Sequence, residues 1–77
     1  MNMAVKTKSG TIYTFTQENG RTFFIKGILS GEVVRIDPIS IGKPIHMDFR
    51  KERMLGGYED CTMFITSTPV IDISVIL

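Results

Sequence analysis

The feature that most constrains this chain is the pair Asn19-Gly20, which lies between two runs of alternating residues, Thr11 to Thr16 and Arg21 to Lys26. A type I′ hairpin turn needs positive φ at both central residues, and Asn followed by Gly meets that need at the least steric cost. Two antiparallel strands joined by this turn have a defined register: Glu18 opposite Arg21, Phe15 opposite Phe24 and Thr16 opposite Phe23. One face then carries the aromatic pair, and an opposite-charge pair closes the turn. Phe23 and Ile25 fall on the other face. A half-exposed hairpin shows one apolar face, so this ribbon is expected to be covered on both sides, by a second layer or by another subunit.

The same period of two recurs along the chain, and no long segment carries a helical apolar stripe. Gly31 to Asp37 reads as a strand. Pro38 belongs at an edge or a break, so Ile39-Ser40-Ile41 is expected as a separate short strand beyond a corner. After Gly42-Lys43-Pro44, the residues Ile45, Met47 and Phe49 alternate with His46, Asp48 and Arg50, the cleanest half-buried strand in the sequence. From Arg50 to Asp60 the pattern lapses into charges around Gly56-Gly57, which predicts a mobile surface loop with at most one helical turn over Lys51 to Leu55. Strand pattern returns at Cys61 to Thr66 and, after Ser67-Thr68-Pro69, at Val70 to Leu77. Cys61 shares an alternating face with Met63 and Ile65 and reads as a small buried hydrophobe. The apolar last residues are expected to be tied into the sheet or into an interface. The fold class is all-β: one domain over residues 1–77, built as a small antiparallel barrel or compact sandwich of about six or seven short strands.

A core of this size supplies only a few kcal/mol, and small domains add disulfides, a metal or a partner chain. Cys61 and His46 are the only residues of their kinds, so neither a disulfide nor a four-ligand zinc site can form within the chain. Association is the remaining route, and a homo-oligomer is expected. Apolar residues make up 43% and charged ones 22%, which is globular composition, and a net charge of +1 gives no general field for polyanions. Nucleic-acid binding would therefore need a local patch. No signal-peptide run or membrane span is present, and a lone unpaired cysteine fits a reducing compartment, which points to the cytoplasm. Gly56-Gly57 matches no phosphate-binding fingerprint, and no cofactor is implied.

Three groups of side chains are candidates for function. His46, Asp48 and Arg50 share one strand face at spacing i, i+2, i+4, with their heads roughly 7 Å apart. A base, an orienting carboxylate and an anion-binding cation would read this way, but no nucleophile accompanies them, and a solvated strand face explains the row equally. The chain is accordingly read as a non-enzyme. Arg50, Lys51 and Arg53 with Tyr58 could grip phosphate and stack on a base, as in a Sm-like or SH3-like barrel binding RNA or DNA, although Glu52, Glu59 and Asp60 dilute the field. Thr66, Ser67 and Thr68 offer three hydroxyls at a strand break, to a ligand or to the turn's own backbone.

Two segments, Val5-Lys6-Thr7-Lys8-Ser9-Gly10-Thr11-Ile12-Tyr13 and Thr66-Ser67-Thr68-Pro69-Val70-Ile71-Asp72-Ile73, resemble the opening and closing strands of small β proteins encoded by bacteriophages and prophages. The second carries one threonine more than the usual Thr-Ser-Pro-Val. Together the two segments cover about a quarter of the chain. The resemblance implies a host bacterial cytoplasm and action by binding. The expected target is a host protein, such as a CRISPR complex or another immune effector, or a small nucleotide signal of a defence system.

Overall fold

Six antiparallel strands close into a barrel in which each strand pairs with its neighbour in sequence and the last pairs with the first. They are β1 (Asn2–Thr7), β2 (Ile12–Glu18), β3 (Arg21–Lys26), β4 (Leu29–Ile36), β5 (Pro44–Lys51) and β6 (Met63–Ile76). The computed structural model describes residues 2–76, so Leu77, at the end of the expected last strand, lies outside the described residues. Closure leaves no open sheet edge and turns one side chain of every alternating pair inward.

The β2–β3 hairpin has the register expected from Asn19-Gly20, with Phe15 opposite Phe24, Thr16 opposite Phe23 and Glu18 opposite Arg21. Asn19 and Gly20 adopt φ of 52° and 75°, the left-handed pair that the turn requires. The charge pair at its mouth does not form. Arg21 reaches diagonally to Glu32 on β4 instead, through two parallel hydrogen bonds from Nε and Nη2 of 2.8 and 2.9 Å. Its guanidinium also lies 5.1 Å from the centre of the Phe23 ring and 5.7 Å from that of Tyr58, so the aromatic faces hold the cation on this side. Tyr58 in turn stacks on Phe23 at 5.9 Å. The outer face of the hairpin is thus covered at Phe23 by residues of the chain itself, while Ile25 stays 55% exposed.

The interior is packed by Val5, Tyr13, Phe15, Phe24, Ile45, Met47, Phe49 and Val70. Ile45, Met47 and Phe49 come from the alternation read in β5. Phe24 and Phe49 meet edge to face at 4.8 Å, an arrangement that pairs the positive rim of one ring with the negative face of the other. Gly31 on β4 makes this contact geometrically feasible, because a Cβ there would stand 2.5 Å from the Arg50 carbonyl oxygen and 3.1 Å from the Phe49 ring.

Several expectations are corrected. Ile39-Ser40-Ile41 is not a strand; Pro38 starts an irregular connection, and Ile39 packs against the core from it. No helical turn forms over Lys51 to Leu55. Glu52 bridges Tyr58, the Arg53 amide donates to the Gly57 carbonyl at 2.9 Å, and Gly56 and Gly57 take positive φ, so the β5–β6 connection is a tight extension of the hairpin. Cys61 is exposed, because the strand begins only at Met63 and the predicted alternation does not reach the thiol. The expected break at Ser67-Thr68-Pro69 is a continuous, bent strand. Proline lacks an amide donor, but Pro69 faces Pro44 where the ladder is already irregular, so no donor is missed. Met63 to Thr66 pair with β5, and Val70 to Ile76 pass to β1. β1 itself carries no obvious apolar alternation, since its inward row ends in a threonine.

Candidate binding site

The handover of β6 from β5 to β1 creates a polar recess in the barrel wall. The turn after β1 brings Ser9 beside Thr68, fifty-nine positions away in the chain, where the Ser9 amide donates to Thr68 Oγ1 at 3.1 Å. The Thr68 hydroxyl donates to Ser9 Oγ at 3.2 Å, and Ser9 Oγ lies 3.2 Å from both Thr7 Oγ1 and Thr11 Oγ1. Thr7, with no exposed surface, donates to the Thr11 carbonyl at 3.3 Å. Hydroxyl–hydroxyl bonds prefer separations near 2.7–2.8 Å, so this cluster holds itself loosely and its rotors can turn to an incoming oxygen.

These hydroxyls line an open cleft of about 420 Å³ together with Tyr13, Lys26, Phe64 and Thr66 to Thr68. Among the described residues Lys26 is the one cation in the lining, and its Nζ sits 5.6 Å from the centre of the Tyr13 ring. That contact holds the ammonium at the cleft wall without neutralising it. Phe64 is 76% exposed on the outer face of β6, a bare aromatic surface at the edge of a polar recess. A ligand with an anionic group, several oxygens and a flat ring would find a partner for each here.

Of the residues singled out in the sequence, Thr66, Ser67 and Thr68 lie in this cleft. Ser67 has a structural task as well: its Oγ accepts from the Ile45 amide at 2.8 Å and donates to the Thr68 carbonyl at 2.6 Å, filling the gap left in the ladder beside Pro44 and Pro69. His46 and Asp48 lie outward on β5 as expected. His46 Nδ1 is 2.8 Å from Thr66 Oγ1, and Asp48 stands opposite Arg35 and Phe64 in the strand register. Among the described residues no carboxylate forms an ion pair with His46, so the His46–Thr66 contact lacks the third group that would orient a base. Nor do the described residues contain a cluster of metal-ligating side chains.

Arg50, Lys51, Arg53 and Tyr58 lie apart from the cleft, around the β5–β6 connection. Arg50 Nε donates to the Glu59 carbonyl at 2.7 Å, while Arg53 faces Glu59 at 3.5 Å and Asp60 at 3.8 Å. Tyr58 is stacked beneath Arg21. The two arginines of the nucleic-acid reading are therefore engaged by Glu59 and Asp60, and the tyrosine by Arg21 and Phe23 of β3, leaving the exposed Lys51 without a described partner. Electrostatically the tightest group nearby is the Arg21–Glu32 fork. Its hydrogen bonds hold the Glu32 carboxyl below the ordinary glutamate range against the opposing effect of desolvation, and they raise the Arg21 guanidinium in turn.

The sequence reading missed Thr7, Ser9, Thr11 and Lys26. Hydroxyls are dense near residues 7–11 and 66–68, but only the β1–β6 seam brings the two runs together. No protein family, curated protein or solved structure was found to match this chain. Among the described residues no helix is long and apolar enough to cross a membrane.

Proposed function

We propose that this chain is a non-catalytic binding protein that captures a small, anionic, nucleotide-like ligand in the hydroxyl cleft. The observation that carries this reading is the convergence of three threonine hydroxyls on Ser9 Oγ, in one lining with Lys26 and the exposed ring of Phe64. The hydroxyls and Lys26 suit phosphate and ribose oxygens, and Phe64 offers a stacking platform for a base. A single cation in the lining favours a small ligand over a long polyanion, which needs a row of charges. The phage-like terminal segments supply the setting: a mobile-element protein that sequesters a host component in the bacterial cytoplasm, a nucleotide signal ahead of a host protein. Ile12, Ile25 and Ile76 remain exposed on the barrel's outer face and support self-association as the working form.

Calorimetric titration with the nucleoside monophosphates tests the site. Saturable binding is expected, with Lys26→Ala and Phe64→Ala each weakening it about tenfold, the lower end of what one charge-assisted contact or one stacked base contributes. Heat signals that do not saturate, or affinities that ignore both substitutions, would rule the cleft out. Affinity capture from a bacterial lysate, read for proteins and for small nucleotides, separates a nucleotide target from a protein one.

A further inference from the structure

The hydroxyl cleft has a neighbour. Across Thr66, a second recess of about 440 Å³ is lined by Asp37, Pro38, Ser40, Lys43, Pro44, His46 and Thr66. Thr66 belongs to both linings, and its hydroxyl is tied to His46 in the second. The two recesses flank the same defect in the barrel wall. Pro44 faces Pro69 there, the register slips between Pro44 and His46, and the Ile45 amide is bonded by the Ser67 side chain where a backbone carbonyl would normally serve. The strand pair is therefore irregular here, with the polar cleft on one side, a largely apolar recess on the other and the Thr66 hydroxyl common to both.

The two recesses differ in chemistry. Among the described residues the first has one lysine, Lys26, and no carboxylate, so it suits phosphate oxygens. The second brings Lys43, His46 and Asp37 into one lining with Pro38 and Pro44. A carboxylate repels a phosphate but accepts from ribose hydroxyls and exocyclic amines, and proline and imidazole faces pack on a base. Lys43 remains available to a phosphate that lies between the halves.

We infer that the ligand is a dinucleotide, two nucleosides joined through phosphate, with one half in the hydroxyl cleft, the other in the Asp37–His46 recess and the linkage crossing at Thr66. This deepens the proposed function and rests on it. Linking two weakly binding halves makes the second binding event intramolecular, which strengthens binding by about 100-fold or more when the span matches.

The test compares AMP with the linear dinucleotide pApA by calorimetry on the intact protein, alongside Asp37→Ala and Lys43→Ala. Both substitutions leave in place the backbone bonds in which these residues take part, from the Asp37 amide to His46, from the Lys43 amide to Ser40 and from the Val70 amide to Lys43. The expected result is pApA binding at least about 100-fold tighter than AMP, with each substitution removing most of that excess while AMP affinity stays unchanged. Equal affinities for AMP and pApA, or an excess that survives both substitutions, would overturn the two-part ligand and leave the single-cleft reading standing. No binding of either probe would overturn both.

Discussion

Arg21 has two carboxylates on neighbouring strands and pairs with the one its surroundings favour. Glu18 stands directly opposite, but Glu32 lets the guanidinium lie over Phe23 and beside Tyr58 while making a two-pronged bond. The consequence is a pH dependence of known sign. A carboxyl held below its unfolded value adds stability that is fully present above the ordinary glutamate range and is lost as pH falls through the depressed value. Thermal melts from neutral to acidic pH should show this loss, and Glu32→Gln should lower the melting temperature at neutral pH while flattening the acid limb. An acid limb equally steep in the variant would place the titrating group elsewhere. Gly31 makes a different kind of demand. With a Cβ only 2.5 Å from a backbone oxygen, Gly31→Ala must push β4 away from β5, at a cost of about 1–3 kcal/mol in denaturant unfolding. A stability unchanged within error would mean that the Phe24–Phe49 contact yields without cost.

Elements were legible where local chemistry alone decides them. Asn19-Gly20 sets its register through backbone sterics, and β5 declares itself because Ile45, Met47 and Phe49 alternate strictly with His46, Asp48 and Arg50. β1 was illegible because Thr7 occupies an inward position as a hydrogen-bonded hydroxyl, where periodicity looks for a hydrophobe. β6 was cut in two because the rule for proline inside a strand assumes a regular ladder, and here the ladder is irregular on both sides. Cys61 and the Lys51 to Leu55 turn were misplaced for a related reason: the loop closes through backbone bonds that leave no periodic trace. The candidate site was half visible. Thr66 and Ser67 were marked as hydroxyls at a strand junction, but Ser9 and Lys26 belong to it only through closure of the barrel. Ser67 offers a test at this scale. Ser67→Ala leaves the Ile45 amide without its acceptor, which should cost about 1–3 kcal/mol and speed hydrogen exchange at Ile45 above that of its neighbours on β5. Protection retained at Ile45 would show that another acceptor takes over.

For the whole molecule, the sequence separates the fold from its assembly. Six strands suffice to bury eight core side chains without any second copy. Ile12, Ile25 and Ile76 lie outside that core and are about half exposed. Light scattering at high micromolar concentration should report a species larger than one chain, and replacing Ile25 with serine should shift it toward the monomer without loss of thermal stability. A strictly monomeric wild-type protein at that concentration would confine function to the single barrel.

The facing prolines at residues 44 and 69 have a further consequence. A gap in a barrel wall is hazardous when it bares a row of amides, because another chain can zip onto them and begin a fibre. At this gap the two residues that face each other have no amide hydrogen to offer, the Ile45 donor is taken by Ser67, and the Val70 donor is taken by Lys43. The wall can be irregular here and still leave a foreign strand no free amide at these four residues.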